Sequence, residues 1–86
     1  MEKYRKDTTI VMTFNKLTQN QKNIVNDYLN DVGIVEYDVE TNEQHTIIKY
    51  EVDTIEVDVE DVLADNKYYL QKDNVPLIKC ESYPNY

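Results

Sequence analysis

The chain predicts an α+β fold, with two helices on one face of a four-stranded antiparallel sheet, in the order β-α-β-β-α-β. Three observations lead there. Several stretches alternate apolar and polar residues with the period of a strand. Two others repeat apolar residues at helical spacing behind capping residues. The only glycine, Gly33, stands where the first helix needs a left-handed residue to stop. Eighty-six residues, 41% apolar and 30% charged, suit one domain (1–86) with one small core rather than a disordered acidic tail.

The elements follow in order. Residues 1–7 form a charged N-terminal segment that does not read as a signal peptide. From Thr8 to Phe14, Ile10, Met12 and Phe14 share one face of a strand. Thr18 and Gln21 form a capping box, and Ile24, Val25, Tyr28, Leu29 and Val32 make the apolar stripe of the helix behind it. Ile34 to Glu40 alternates again, with Val35, Tyr37 and Val39 facing inward and Glu36, Asp38 and Glu40 outward. A polar turn over residues 41–44 leads to a returning strand, His45 to Val52. At Asp53–Thr54 the alternation slips phase, so the strand ends or bulges there. Asp58 reads as an N-cap with Glu60 and Asp61 in the first turn, and Val59, Val62, Leu63, Tyr69 and Leu70 supply the buried side of the second helix. A last strand starts near Pro76 and ends between Cys80 and Tyr83, leaving residues 83–86 as a tail. This order is the split βαβ, or ferredoxin-like, pattern with strand order 4-1-3-2. It makes the second strand an edge and predicts burial of Leu29, Val35 and Ile48.

The stretches Gly33-Ile34-Val35-Glu36-Tyr37-Asp38-Val39-Glu40-Thr41-Asn42 and Val57-Asp58-Val59-Glu60-Asp61-Val62-Leu63 resemble the heavy-metal-associated domains of copper chaperones and metal-transporting ATPases. The likeness spans roughly residues 8–72 and implies the same fold. That family holds its metal in a Met-Thr-Cys-x-x-Cys loop. Here the matching residues are Leu17-Thr18-Gln19-Asn20-Gln21-Lys22, with Gln19 and Lys22 in place of the two thiolates. An amide and an ammonium cannot replace thiolates toward a soft metal, so no metal or other cofactor is expected.

Charge is segregated along the chain. Between Asp27 and Asp65 lie thirteen carboxylates and one cation, Lys49, a formal −12 against −8 for the whole chain. Direct binding of nucleic acid or an anionic membrane is therefore not expected, and basic protein partners are. The third strand, Thr46-Ile47-Ile48-Lys49-Tyr50-Glu51-Val52, also lacks the basic, glycine and aromatic pattern of an RNA-recognition motif. Asp53, Glu56, Asp58, Glu60 and Asp61 lie close in sequence without the spacing or glycine of an EF-hand.

Catalysis has no motif behind it. His45 is the only histidine, Ser82 the only serine and Cys80 the only cysteine, and one glycine cannot build a phosphate loop. A lone cysteine, with no span of 18 apolar residues, fits a reducing, cytoplasmic setting. The remaining candidate site is the carboxylate surface. Glu36, Asp38 and Glu40, every second residue of one strand, stand about 6.6–6.8 Å apart, on the scale of phosphates along a DNA strand. Asp58, Glu60 and Asp61 form a second cluster, and Asp27 and Asp31 add charge at the first helix end. In size, charge and lack of catalytic motifs the chain is similar, by composition, to small acidic anti-defence proteins of phages, such as anti-CRISPR and anti-restriction inhibitors. The expected function is a non-enzymatic inhibitor whose acidic face occupies the basic groove of a nucleic-acid-handling enzyme. The alternative is a metal-free regulatory or assembly module of the heavy-metal-associated type, self-associating as a homodimer through an edge strand.

Overall fold

The computed structural model describes residues 6–85, which form four strands and two helices: β1 (Thr8–Asn15), α1 (Gln19–Asp31), β2 (Asp38–Thr41), β3 (His45–Val52), α2 (Val59–Lys72) and β4 (Leu77–Pro84). The sheet is antiparallel in the order β2-β3-β1-β4, so the α+β ferredoxin-like arrangement expected from the sequence is present. Among the described residues no helix is long and apolar enough to cross a membrane.

β1 and β3 are the central strands, and their alternation sets the core. Ile10, Met12 and Phe14 on β1 pair with Tyr50, Ile48 and Thr46 on β3, and all six are buried. From above, Val25 and Leu29 of α1 and Leu70 of α2 complete the layer, with Leu17 and Val75 from the flanking loops. Thr46, although polar, is fully buried because its Oγ1 accepts the Leu17 N–H at 3.1 Å, which fixes the entry to α1.

Both helices begin and end as local chemistry dictates. At α1 the Thr18 Oγ1 accepts the Gln21 N–H at 3.1 Å, and the Gln21 side chain accepts the Thr18 N–H at 2.9 Å, a complete capping box. Its C-terminus closes as a Schellman motif: the Gly33 N–H donates to Asn30 C=O (3.1 Å) and the Ile34 N–H to Leu29 C=O (2.8 Å). Gly33 has φ +89°, a backbone that a β-carbon disfavours. α2 closes in the same way with Asn74 at φ 63°, its N–H donating to Gln71 C=O and that of Val75 to Leu70 C=O, each at 3.0 Å.

Several expectations need correction here. The second strand was expected from Ile34 to Glu40, but β2 spans only Asp38–Thr41. The Schellman motif turns Ile34 back over Leu29, and the Tyr37 hydroxyl donates to Asn26 Oδ1 of α1, so residues 34–37 run as a strap rather than a strand. Val35 was expected in the core and is instead 77% exposed; Leu29 and Ile48 are buried as expected. Val32, Val39 and Tyr69, also expected on buried faces, are exposed. At the other end of the chain β4 continues through Tyr83 and Pro84, and the Asn85 N–H donates to Asp7 C=O at 2.8 Å.

The acidic end as a candidate partner interface

The pairing register places the first residues of β1 and β2 and the last residues of β3 and β4 at one end of the sheet. Thr8 pairs with both Val52 and Pro84, and Asp38 pairs with Lys49. The strap over residues 34–37 enters this end, and the turn from Asp53 to Asp58 leaves it. Glu36, Asp38, Glu51, Asp53, Glu56 and the α2 N-terminus therefore gather there, with Asp31 at the close of α1. The opposite end carries Lys16, Lys22 and Lys72 beside Glu43 and Asp73.

Within this end the six expected site residues divide. Because β2 starts at Asp38, Glu36 lies in the strap, and the regular row of three carboxylates on one strand does not form. Asp38 and Glu40 do share the open, helix-free face, since Val39 between them pairs with the core residue Ile48. There they meet Lys49: Asp38 is its cross-strand partner, and its Nζ lies 3.9 Å from a Glu40 carboxylate oxygen, an exposed pair of small energetic weight. Because β2 is shorter than β3, an open depression of about 670 Å³ remains beside it, where Glu36, Asp38 and Glu51 face Lys6 and Lys49.

The second cluster is built into α2. Asp58 caps the helix, its Oδ1 accepting the Glu60 N–H at 3.0 Å, and Glu60 and Asp61 occupy the first turn, where the helix dipole favours carboxylates. All three side chains are exposed. Asp27 and Asp31 sit toward the other pole of a helix, near the α1 C-terminus, where the dipole disfavours them and no basic residue compensates.

The connection from β3 to α2 is a rigid turn. Asp53 C=O accepts the N–H groups of Glu56 (2.9 Å) and Val57 (3.2 Å), and Asp53 Oδ1 accepts that of Ile55 (2.9 Å). Asp7 holds the turn to the start of β1, one carboxylate oxygen accepting the Thr54 N–H at 3.1 Å and the other its hydroxyl at 2.7 Å. These bonds hold the Asp7 carboxyl below its ordinary range.

The turn presents Ile55, which is 89% exposed, a feature the sequence reading missed. Its only signal was the slip in alternation after Val52. Val57 beside it and Val32 across the strap border a narrow apolar cleft of about 160 Å³ between the helices, floored by Tyr28, Tyr50 and Asn66. The floor is a buried polar network that the sequence also did not reveal. The Tyr28 hydroxyl donates to Asn66 Oδ1 (2.7 Å), and Asn66 Nδ2 donates to Tyr50 Oη (2.9 Å) and Cys80 Sγ (3.5 Å). Burial pushes the Tyr50 hydroxyl up to about 12 and Tyr28 in the same direction.

Burial also raises the Cys80 thiol, which keeps it protonated and poorly nucleophilic near neutrality. His45 opens β3 beside the hairpin turn, where its N–H donates to Asn42 Oδ1 at 2.8 Å. Ser82 lies on β4. Gln19 and Lys22 both lie in the first turn of α1, where the Gln19 amide donates to Asn23 Oδ1. Among the described residues no three His, Cys, Asp or Glu side chains converge as a metal site would require. Compared with family models, with curated proteins and with solved structures, the chain gives no match.

Proposed function

We propose that this chain is a non-enzymatic protein-binding inhibitor of a nucleic-acid-handling enzyme, entering a basic groove of that enzyme with its acidic end. The observation that carries the reading is the company Ile55 keeps. A surface made only for solubility gains nothing from an isoleucine held out by a hydrogen-bonded turn between Asp53 and Glu56, with exposed Val35 on the neighbouring strap. An apolar centre within a charged rim is the anatomy of a protein interface. In this reading Glu36, Asp38, Glu40, Asp58, Glu60 and Asp61 steer the partner's Lys and Arg groups and speed encounter. Ile55 supplies the desolvated contact that slows release.

The two roles separate kinetically. Changing Glu36→Gln, Asp38→Asn and Glu40→Gln together should slow association with the captured enzyme and flatten its salt dependence. Ile55→Ser should leave association unchanged and speed dissociation. Wild type should compete with the enzyme's nucleic acid. An acidic partner, or a triple variant that associates as fast as wild type at low salt, overturns the proposal.

A further inference from the structure

The sheet has two edges, and they are guarded differently. β2 is four residues long and bears Asp38 and Glu40. A second copy pairing antiparallel about Val39 would set each carboxylate opposite another, and like charges directly opposed destabilise a sheet. β4 is eight residues long, and its protective features lie at its ends: a bulge where the register shifts between Thr13 and Phe14, and Pro84. Between them the strand is regular, and among the described residues no strand pairs with its outer edge.

We propose that this edge pairs with the same edge of a second copy, about a two-fold axis at Cys80, to give a homodimer with a continuous eight-stranded sheet. The backbone directions permit it. The Asn85 N–H is turned toward β1, where it meets Asp7 C=O, so by alternation Tyr83, Glu81 and Lys79 also turn their backbone groups inward. Cys80 and Ser82 then present theirs outward, and the two copies of Cys80 exchange a pair of hydrogen bonds.

Charge selects the register. Centring on Lys79 or on Glu81 sets identical charges against each other. Centring on Cys80 sets Lys79 of each copy opposite Glu81 of the other. Within one chain these side chains already lie 3.8 Å apart, and Glu81 also accepts a hydrogen bond from Tyr83, so the dimer closes an alternating ring of four charges on the open face. On the helix side α2 runs along β4, and a groove of about 480 Å³ between them is lined by Leu63, Ala64, Tyr68 and Cys80 with the polar Glu60, Lys67 and Gln71. Tyr68 is 61% exposed. The same two-fold brings the outer stripe of α2, with Leu63, Ala64 and Tyr68, against its copy, and the small side chain of Ala64 allows close approach. The proposal stands apart from the function above, since it uses another edge of the sheet, and Glu60 alone borders both surfaces.

A charge swap tests it. Sedimentation velocity on wild type should show a dimer at micromolar to millimolar concentration. Lys79→Glu and Glu81→Lys, each alone, should weaken the dimer by about tenfold or more, because two cross-strand pairs turn repulsive. Circular dichroism should show both variants folded, since both side chains are exposed. Mixed one to one they should form a heterodimer as stable as wild type, because each Glu again faces a Lys. Monomeric wild type at millimolar concentration, single variants that dimerise as well as wild type, or a mixture that stays monomeric would each overturn the proposal.

Discussion

Asn66 offers the sharpest test of how this core is held. It sits on α2 at 1% exposure and ties together three elements, bonding Tyr28 of α1, Tyr50 of β3 and Cys80 of β4. Asn66→Leu keeps the number and branching of the side-chain heavy atoms but removes the donors and acceptor of the amide. Tyr28 is half-buried and can turn its hydroxyl toward water, so it forfeits only the net worth of one hydrogen bond, about 0.5–1.5 kcal/mol. Tyr50 is 4% exposed and cannot, so its orphaned hydroxyl costs about 1–3 kcal/mol. The variant should therefore lose about 1.5–4.5 kcal/mol in urea unfolding. Adding Tyr50→Phe should recover most of that loss, because replacing both partners by apolar groups of similar shape is nearly neutral. If Asn66→Leu is neutral, or if the double variant is less stable than Asn66→Leu alone, the network does not stabilise the fold as described.

Leu29→Ala, at a fully buried site, should cost about 2–5 kcal/mol, whereas Val35→Ala on the exposed strap should cost less than about 0.5 kcal/mol by the same urea titration. Thr18→Ala removes the α1 cap and should cost about 0.5–2 kcal/mol. The Asp7 carboxyl is held below its ordinary value, chiefly by its hydrogen bonds to Thr54. A carboxyl whose pKa falls on folding contributes stability that is complete above that value and lost as pH drops through the lower, folded-state pKa. The stability difference between wild type and Asp7→Asn should therefore be constant from neutrality down to about pH 5 and shrink below about pH 4. A difference unchanged at pH 3 would refute the role given to those bonds.

What the sequence disclosed was what depends on near neighbours. The capping box at Thr18, the left-handed Gly33 and the alternation in β1 and β3 are decided within a few residues, and each was legible. Ile34 to Glu40 alternates as well as either strand does, yet only its last three residues join β2. The Schellman closure claims Ile34 for the helix end, and a tyrosine–asparagine contact holds the strap to α1. Both are tertiary demands that override a period-two pattern. Asn66 was illegible for a related reason: a buried amide is tolerable only because its partners lie 14, 16 and 38 residues away in sequence. The carboxylates of the candidate site were visible as composition. Their arrangement at one end of the sheet came from strand register, and Ile55 stood out only once the turn around it was seen.

The two proposed surfaces are compatible because of where β4 begins and ends. The strand starts at the lysine-bearing end of the molecule and finishes at the acidic end, where Pro84 pairs with Thr8. An antiparallel pairing about Cys80 therefore points the two acidic ends in opposite directions. Their separation is at least a strand length, about 27 Å for eight residues at roughly 3.4 Å each. The screening length in physiological salt is about 8 Å, so a formal charge of −8 per chain does little to oppose this dimer. Pairing through β2 would instead bring Asp38 and Glu40 of both copies together. The segregation of charge thus favours one edge for self-association over the other, and it leaves both acidic ends free. A dimer built this way is bivalent, and it gains avidity only toward a target whose basic sites lie far enough apart to engage both ends at once.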